Sequence, residues 1–170
     1  MESRYGTVPV SLEPIEAFMK LADDIETNEE NSCDLVAFCC RRYAAEKAMK
    51  SIKLETLEES DIVQGYLASV MDTLEEDKQL LQEKYRRAQT NHGWGGDVTK
   101  FQQLEIVSEY ALLIYTQAQE ELGHATATQE TAKKFYKAAH LFEVAHENNI
   151  EFLVLQKKCQ LKVNSLTVSN

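Results

Sequence analysis

Glycine, proline and tryptophan are scarce in this chain: six Gly, two Pro and one Trp among 170 residues. Both prolines, Pro9 and Pro14, lie early, and three of the glycines crowd together at Gly93, Gly95 and Gly96. Long stretches therefore lack any residue that turns the backbone, which excludes a loop-rich, many-stranded fold and predicts long uninterrupted elements. Basic charge is also short. Eighteen Lys and Arg against 28 Asp and Glu leave a net charge of −10. Such a surface repels nucleic acid phosphates and anionic headgroups, so neither nucleic acid binding nor direct membrane insertion is expected. No apolar run approaches the ~20 residues that span a bilayer, and the opening MESRYGTVPVSLEP has no apolar secretory core. Cysteine is limited to Cys33, Cys39, Cys40 and Cys159, with no CxxC pair. Side chains at Cys39 and Cys40 would point about 100° apart on a helix and cannot share one metal. Reduced, partly buried thiols in a cytosolic protein are the expectation.

What the chain does have is apolar residues, 44% of the total, set among strong helix formers. Six helical stretches follow from the spacing. Leu12, Ile15, Phe18, Met19, Ala22 and Ile25 fall three and four apart and predict a first helix over 12–25. The second, over 33–53, is apolar on two faces: Leu35, Phe38, Ala45, Met49 and Ile52 on one, Val36, Cys40, Tyr43 and Ala44 on the other. Two apolar faces require neighbours on both sides. A capping box at Thr56–Glu59 opens a third helix over 57–88, with Ile62, Val63, Tyr66, Leu67, Val70, Met71, Leu74 and Leu81 in its stripe and a charged tail after Leu81. TNHGWGGD (90–97) is the strongest break. A second box at Thr99–Gln102 opens helix four (100–122), where Phe101, Leu104, Ser108, Ala111, Tyr115, Ala118 and Leu122 make one stripe and Val107, Tyr110 and Ile114 a second. A third box at Thr126–Gln129 opens helix five, to about 147, and helix six runs over 150–163 before LTVSN frays. The expected architecture is all-α, with no strands: a three-helix unit over 11–89, a Gly-rich linker over 90–99, and a second three-helix unit over 100–165.

Catalytic chemistry finds little to stand on. Glu121-Leu-Gly-His124 and Glu143-Val-Ala-His146 match the Glu-x-x-His pattern of di-metal helical bundles. One histidine precedes helix five and the other lies near its far end, however, roughly 27 Å apart at ~1.5 Å per residue. They cannot ligate one metal pair, and no cofactor or metal is expected. His92 and His140 have no partner at ligand spacing, and GWGG lacks the Lys-Ser/Thr of a phosphate loop. Acidic runs such as Glu75-Glu76-Asp77 are usually solvated faces. This one extends the stripe that holds Val70, Met71 and Leu74, and an apolar strip with an acidic rim suits an amphipathic helix bearing Leu and Arg or Lys. A structural helical-repeat scaffold with unrelated partners is the alternative, although no 34-residue repeat is found.

Leu35 to Lys50, LVAFCCRRYAAEKAMK, resembles the second helix of the VTA (vacuolar protein trafficking and assembly) family, of VAYYCRLYAMERGLK type. The likeness is position by position at Val36, Ala37, Phe38, Cys40, Arg41, Tyr43, Ala44 and Lys50. VMDTLEEDKQL (70–80), VSEYAL (107–112), AKKFYKAAHLFEVA (132–145) and KKCQLKV (157–163) are similar to later family segments in the same order. The sequence departs at Glu120-Glu-Leu-Gly123, where the family has Asp-Arg-Ala-Gly, at Leu161, where it has Trp, and in the linker from Arg86 to Thr99, which is longer than the family's. The resemblance implies two three-helix MIT-like (microtubule interacting and transport) bundles in tandem, with no enzymatic activity. It implies binding to the C-terminal helical tails of ESCRT-III subunits at the endosome, as part of regulating the AAA ATPase that disassembles them. The family's ATPase-binding C-terminal domain is not among these residues. The implied localisation is cytoplasmic, with recruitment to endosomal membranes through protein partners. By analogy, a first-unit groove between helices two and three would use Tyr43, Lys47, Tyr66, Leu67, Val70, Met71 and Leu74 for apolar contact, with Asp77 meeting an Arg or Lys. In the second unit Tyr136, Ala139, His140 and Glu143 would serve.

Overall fold

The computed structural model describes residues 3–28, 32–52, 57–92, 100–124, 128–146 and 150–168, and side chains within these except at 57–59, 88–92, 100, 101, 150 and 168. The protein is all-α. A 3-10 turn at Val10–Leu12 leads into α1 (Glu13–Thr27), followed by α2 (Asp34–Ser51), α3 (Leu57–His92), α4 (Lys100–Gly123), α5 (Gln129–Ala145) and α6 (Ile150–Val168). No strand occurs among the described residues. The chain divides into two compact units, 1–99 and 100–170.

In the first unit α2 packs on both α1 and α3, and the 3-10 turn touches α1 and α3. The two-faced pattern of α2 explains its central place: Leu35 through Arg41, Ala44, Ala45 and Ala48 are all buried. The 3-10 turn and α1 together bury the whole stripe read from the sequence, Leu12 from the turn and the rest from α1, and α1 adds Leu21. Pro14 sits in its first turn, where a missing N–H costs nothing. From α3 the core takes Val63, Leu67, Val70 and Leu74, at steps of four, three and four, a narrower line than the stripe read from the sequence, whose Ile62 and Met71 are exposed. Met49, placed on an apolar face by the sequence, is 45% exposed and lies at the rim. At 36 residues, α3 is about 54 Å long, against about 22 Å for the 15 residues of α1. Lys84 ion-pairs with Asp34 at the start of α2. Beyond that point Arg86 and Arg87 pair with Glu83 one turn back, the local charge pattern of a solvated helix.

In the second unit α5 packs on α4 and α6. Phe135, Phe142 and Leu141 are fully buried. The Tyr115 ring meets those of Phe135 and Phe142 edge-on, each at 6.0 Å, and Phe152 of α6 stacks on Phe142 at 5.7 Å. On α4 the buried line is Val107, Ala111, Ile114 and Ala118. It runs between the two stripes read from the sequence and draws from both. Two other sequence expectations shift. Helix α5 begins after Thr128, two residues later than the Thr126 box placed it, because Thr131 Oγ1 accepts the Thr128 N–H at 3.1 Å and closes a box there. Helix α6 continues to Val168, so the residues expected to fray are mostly helical. Thr56, Thr99, Thr126 and the glycine-rich 93–99, with Trp94, lie outside the described residues.

Candidate functional site

The twelve residues singled out in the sequence fall into different settings. Leu67, Val70 and Leu74 are core, with Val70 only 1% exposed, so a partner could touch them only if the unit opened. Tyr43 packs at the α1–α2 seam, its ring 5.1 Å from that of Phe18. Lys47 Nζ lies 5.0 Å over Phe18 and 5.8 Å over Tyr43, a cation–π arrangement. Met71 is 45% exposed on α3. Tyr66 and Asp77 are eleven residues, three turns, apart and so share one side of α3, about 120° round from Met71. The described contacts therefore do not gather these first-unit residues into one open groove.

Asp77 is instead the centre of a cluster that periodicity could not show. Tyr5, 3% exposed, donates its hydroxyl to Asp77 Oδ2. Arg4 Nη1 pairs with Oδ1 of the same carboxylate at 2.7 Å, and Nη2 reaches Glu76 at 3.2 Å. Both oxygens of Asp77 are thus engaged, and its side chain is 12% exposed. Over the Tyr5 ring lies the Arg41 guanidinium, 4.5 Å from the centroid. Arg41 is 2% exposed; its Nη2 donates to Asp23 and Glu26, both at 2.7 Å, and its Nη1 to Glu26 at 3.1 Å. Ser3 Oγ donates to Asp23 at 3.3 Å. The short segment before α1 thereby touches all three helices. Gly6 allows this. Its φ of +70° is the left-handed region that suits glycine, and its N–H donates to Ser3 O at 2.9 Å, folding Arg4 and Tyr5 inward.

The electrostatics follow from burial. Burial and the Asp77 carboxylate both push the Tyr5 phenol upward, keeping it a proton donor. Desolvation opposes charge on Arg41, but hydrogen bonds to Glu26 and Asp23 outweigh it and raise its pKa. Two buried atoms here find no protein partner, Arg41 Nε and the Tyr66 hydroxyl.

In the second unit Tyr136, His140 and Glu143 stand at steps of four and three along α5. Tyr136 is 46% exposed; its ring lies 4.3 Å from the His140 imidazole, whose Nδ1 is 2.9 Å from the Tyr136 carbonyl. Glu143 accepts a hydrogen bond from Gln156 of α6 at 3.2 Å, and Ala139 between them is buried.

Two of the groups weighed for catalysis have other settings. Glu121 holds Thr131 at 2.7 Å and also Lys134, joining α4 to α5. Burial pushes the Cys39 thiol up to about 11 and raises Cys40 further, the opposite of an activated nucleophile. All four cysteines are free. Among the described residues no group of three His, Cys, Asp or Glu could hold a metal, and no helix is long and apolar enough to cross a membrane.

A direct comparison with curated proteins finds no match. The family model described as Vta1-like matches residues 14–167. That span takes in all six helices from the second residue of α1 almost to the end of α6; the chain belongs to the Vta1-like family.

Proposed function

We propose that this chain is a non-enzymatic adaptor of the ESCRT (multivesicular body) pathway, whose helical units bind C-terminal helical tails of ESCRT-III subunits. The family match over residues 14–167 carries the reading and implies an ESCRT-associated adaptor role in general. Three features support the finer part. The net charge of −10 suits basic tails. Exposed Met71 and Tyr136 offer an apolar foothold on each unit. The ion pair of Asp77 with Arg4 is the kind of contact a basic tail residue would make. In this reading the adaptor works in the cytoplasm, reaches endosomal membranes through protein partners, and contributes to regulation of the ESCRT-III-disassembling AAA ATPase. The test is fluorescence anisotropy of labelled tail peptides from each ESCRT-III subunit, titrated with the full chain. Saturable binding of one or two tails is expected. Met71→Asp should weaken a first-unit tail about tenfold, about 1.4 kcal/mol, with the melting temperature unchanged because Met71 is a surface residue. If no tail binds, the reading gives way to a helical scaffold with unrelated partners.

A further inference from the structure

The segment before α1 uses its side chains as a ligand would. It presents a basic residue and an aromatic residue in sequence, Arg4 and Tyr5, and these satisfy both oxygens of one carboxylate on α3. The ring lies under a guanidinium already committed to α1. The contact is made by side chains and one tight turn, and Arg4 remains 54% exposed, so it can be undone without dismantling a helix. The segment also lies outside the family match, which begins at residue 14.

We propose that residues 3–9 are a displaceable internal ligand of the first unit, and that a partner segment bringing a basic side chain to Asp77 binds only as Arg4 and Tyr5 leave. This rests on the adaptor reading for its external partner, but the internal contact does not. The consequence is quantitative. A site open only a fraction of the time shows an affinity reduced by that fraction, so a segment closed nine-tenths of the time would weaken an incoming peptide about tenfold.

The probe is a fluorescein-labelled peptide of residues 1–10, MESRYGTVPV, titrated to millimolar concentration against the full chain and against full chain carrying Arg4→Glu and Tyr5→Phe. The first change repels Asp77 and Glu76; the second keeps the buried ring and removes only the hydroxyl, and circular dichroism checks that helicity is retained. The peptide should bind the double variant at least tenfold more tightly than the unaltered chain, and adding Asp77→Asn should abolish the gain. Should the double variant lose helicity, Arg4→Ala alone replaces it, with a gain of about threefold expected. Equal binding to both proteins, or none to the folded variant, overturns the proposal. ESCRT-III tail peptides are titrated in parallel. A tail that binds both proteins with one affinity shows the segment to be a fixed cap and overturns the gating. Failure of every tail on both proteins sinks the adaptor reading alone, since the trans peptide contains no tail.

Discussion

Arg41 holds the first unit together by an arrangement that a lysine cannot copy. Its planar fork binds Asp23 and Glu26 on α1 while its face covers Tyr5. A buried charge that loses its partners is costly, whereas half-exposed carboxylates left behind can rehydrate; Asp23 and Glu26 are about two-fifths exposed. Arg41→Ala should therefore lower the stability of the first unit by about 2–3 kcal/mol, below the usual cost of stranding a buried partner. Arg41→Lys should recover less than half of that. Chemical denaturation followed by circular dichroism reads both, and the transition of the second unit should stay in place. An unchanged first transition would mean that the ion pairs contribute nothing beyond what water supplies. None of this was legible in the sequence beyond the resemblance at position 41. Periodicity reports neighbours three or four residues away, while Arg41 finds its partners 15 and 18 residues back, and Asp77 finds its own 72 residues back. The sequence expected Asp77 to meet a basic side chain but had no means of showing that this chain supplies one.

At the scale of the element the sequence was far more informative. The stripe of α1 and the double face of α2 dictate a hairpin whose second helix is central, and most of those residues are buried, Met49, Tyr43 and Ile52 lying nearer the surface. What spacing blurred was the choice between two adjacent stripes on α4, because the line that packs depends on where α5 lies. Helix ends were blurred for a related reason, since several Thr and Ser can cap and the tertiary partner selects one. At α5 the selection is visible in Thr131, fully buried, which accepts the Thr128 N–H and donates to Glu121 of α4 at 2.7 Å. Helix start and helix–helix contact are thus tied to one hydroxyl. Thr131→Val preserves the shape and removes both hydrogen bonds, leaving the Thr128 N–H without its cap, and should cost about 1–2 kcal/mol. The second-unit melting transition measures it, and Thr131→Ser should restore most of the loss. If valine is as stable as threonine, the cap is incidental and the packing of Ala132 and Phe135 sets the start of α5.

Over the whole molecule, each three-helix unit buries its own middle helix, and each carries at least one buried thiol. In the second unit Cys159 of α6 is fully enclosed, and burial pushes its pKa up to about 12. A raised thiol pKa favours the neutral form in the folded state. The stability it reflects is complete below the unfolded thiol value of about 8.5 and declines as pH climbs from there toward 12. The same thiol is a reporter, because at pH 8 it is almost wholly protonated and shielded while the unit is folded. Residues 100–170 alone should therefore give a helical circular dichroism spectrum, a cooperative melt that moves down as pH rises above 9, and slow alkylation of Cys159 at pH 8, matching its rate in the full chain. The closure of α4 and α6 on α5 is the reason to expect autonomy from only 71 residues, a length at which a single core is marginal but sufficient for many domains. Rapid labelling of Cys159 in the fragment, with slow labelling in the full chain, would show that the second unit depends on residues 1–99 for its fold. The tandem would then be one cooperative body, and mutations in the first unit, Arg41→Ala among them, would have to move both transitions together.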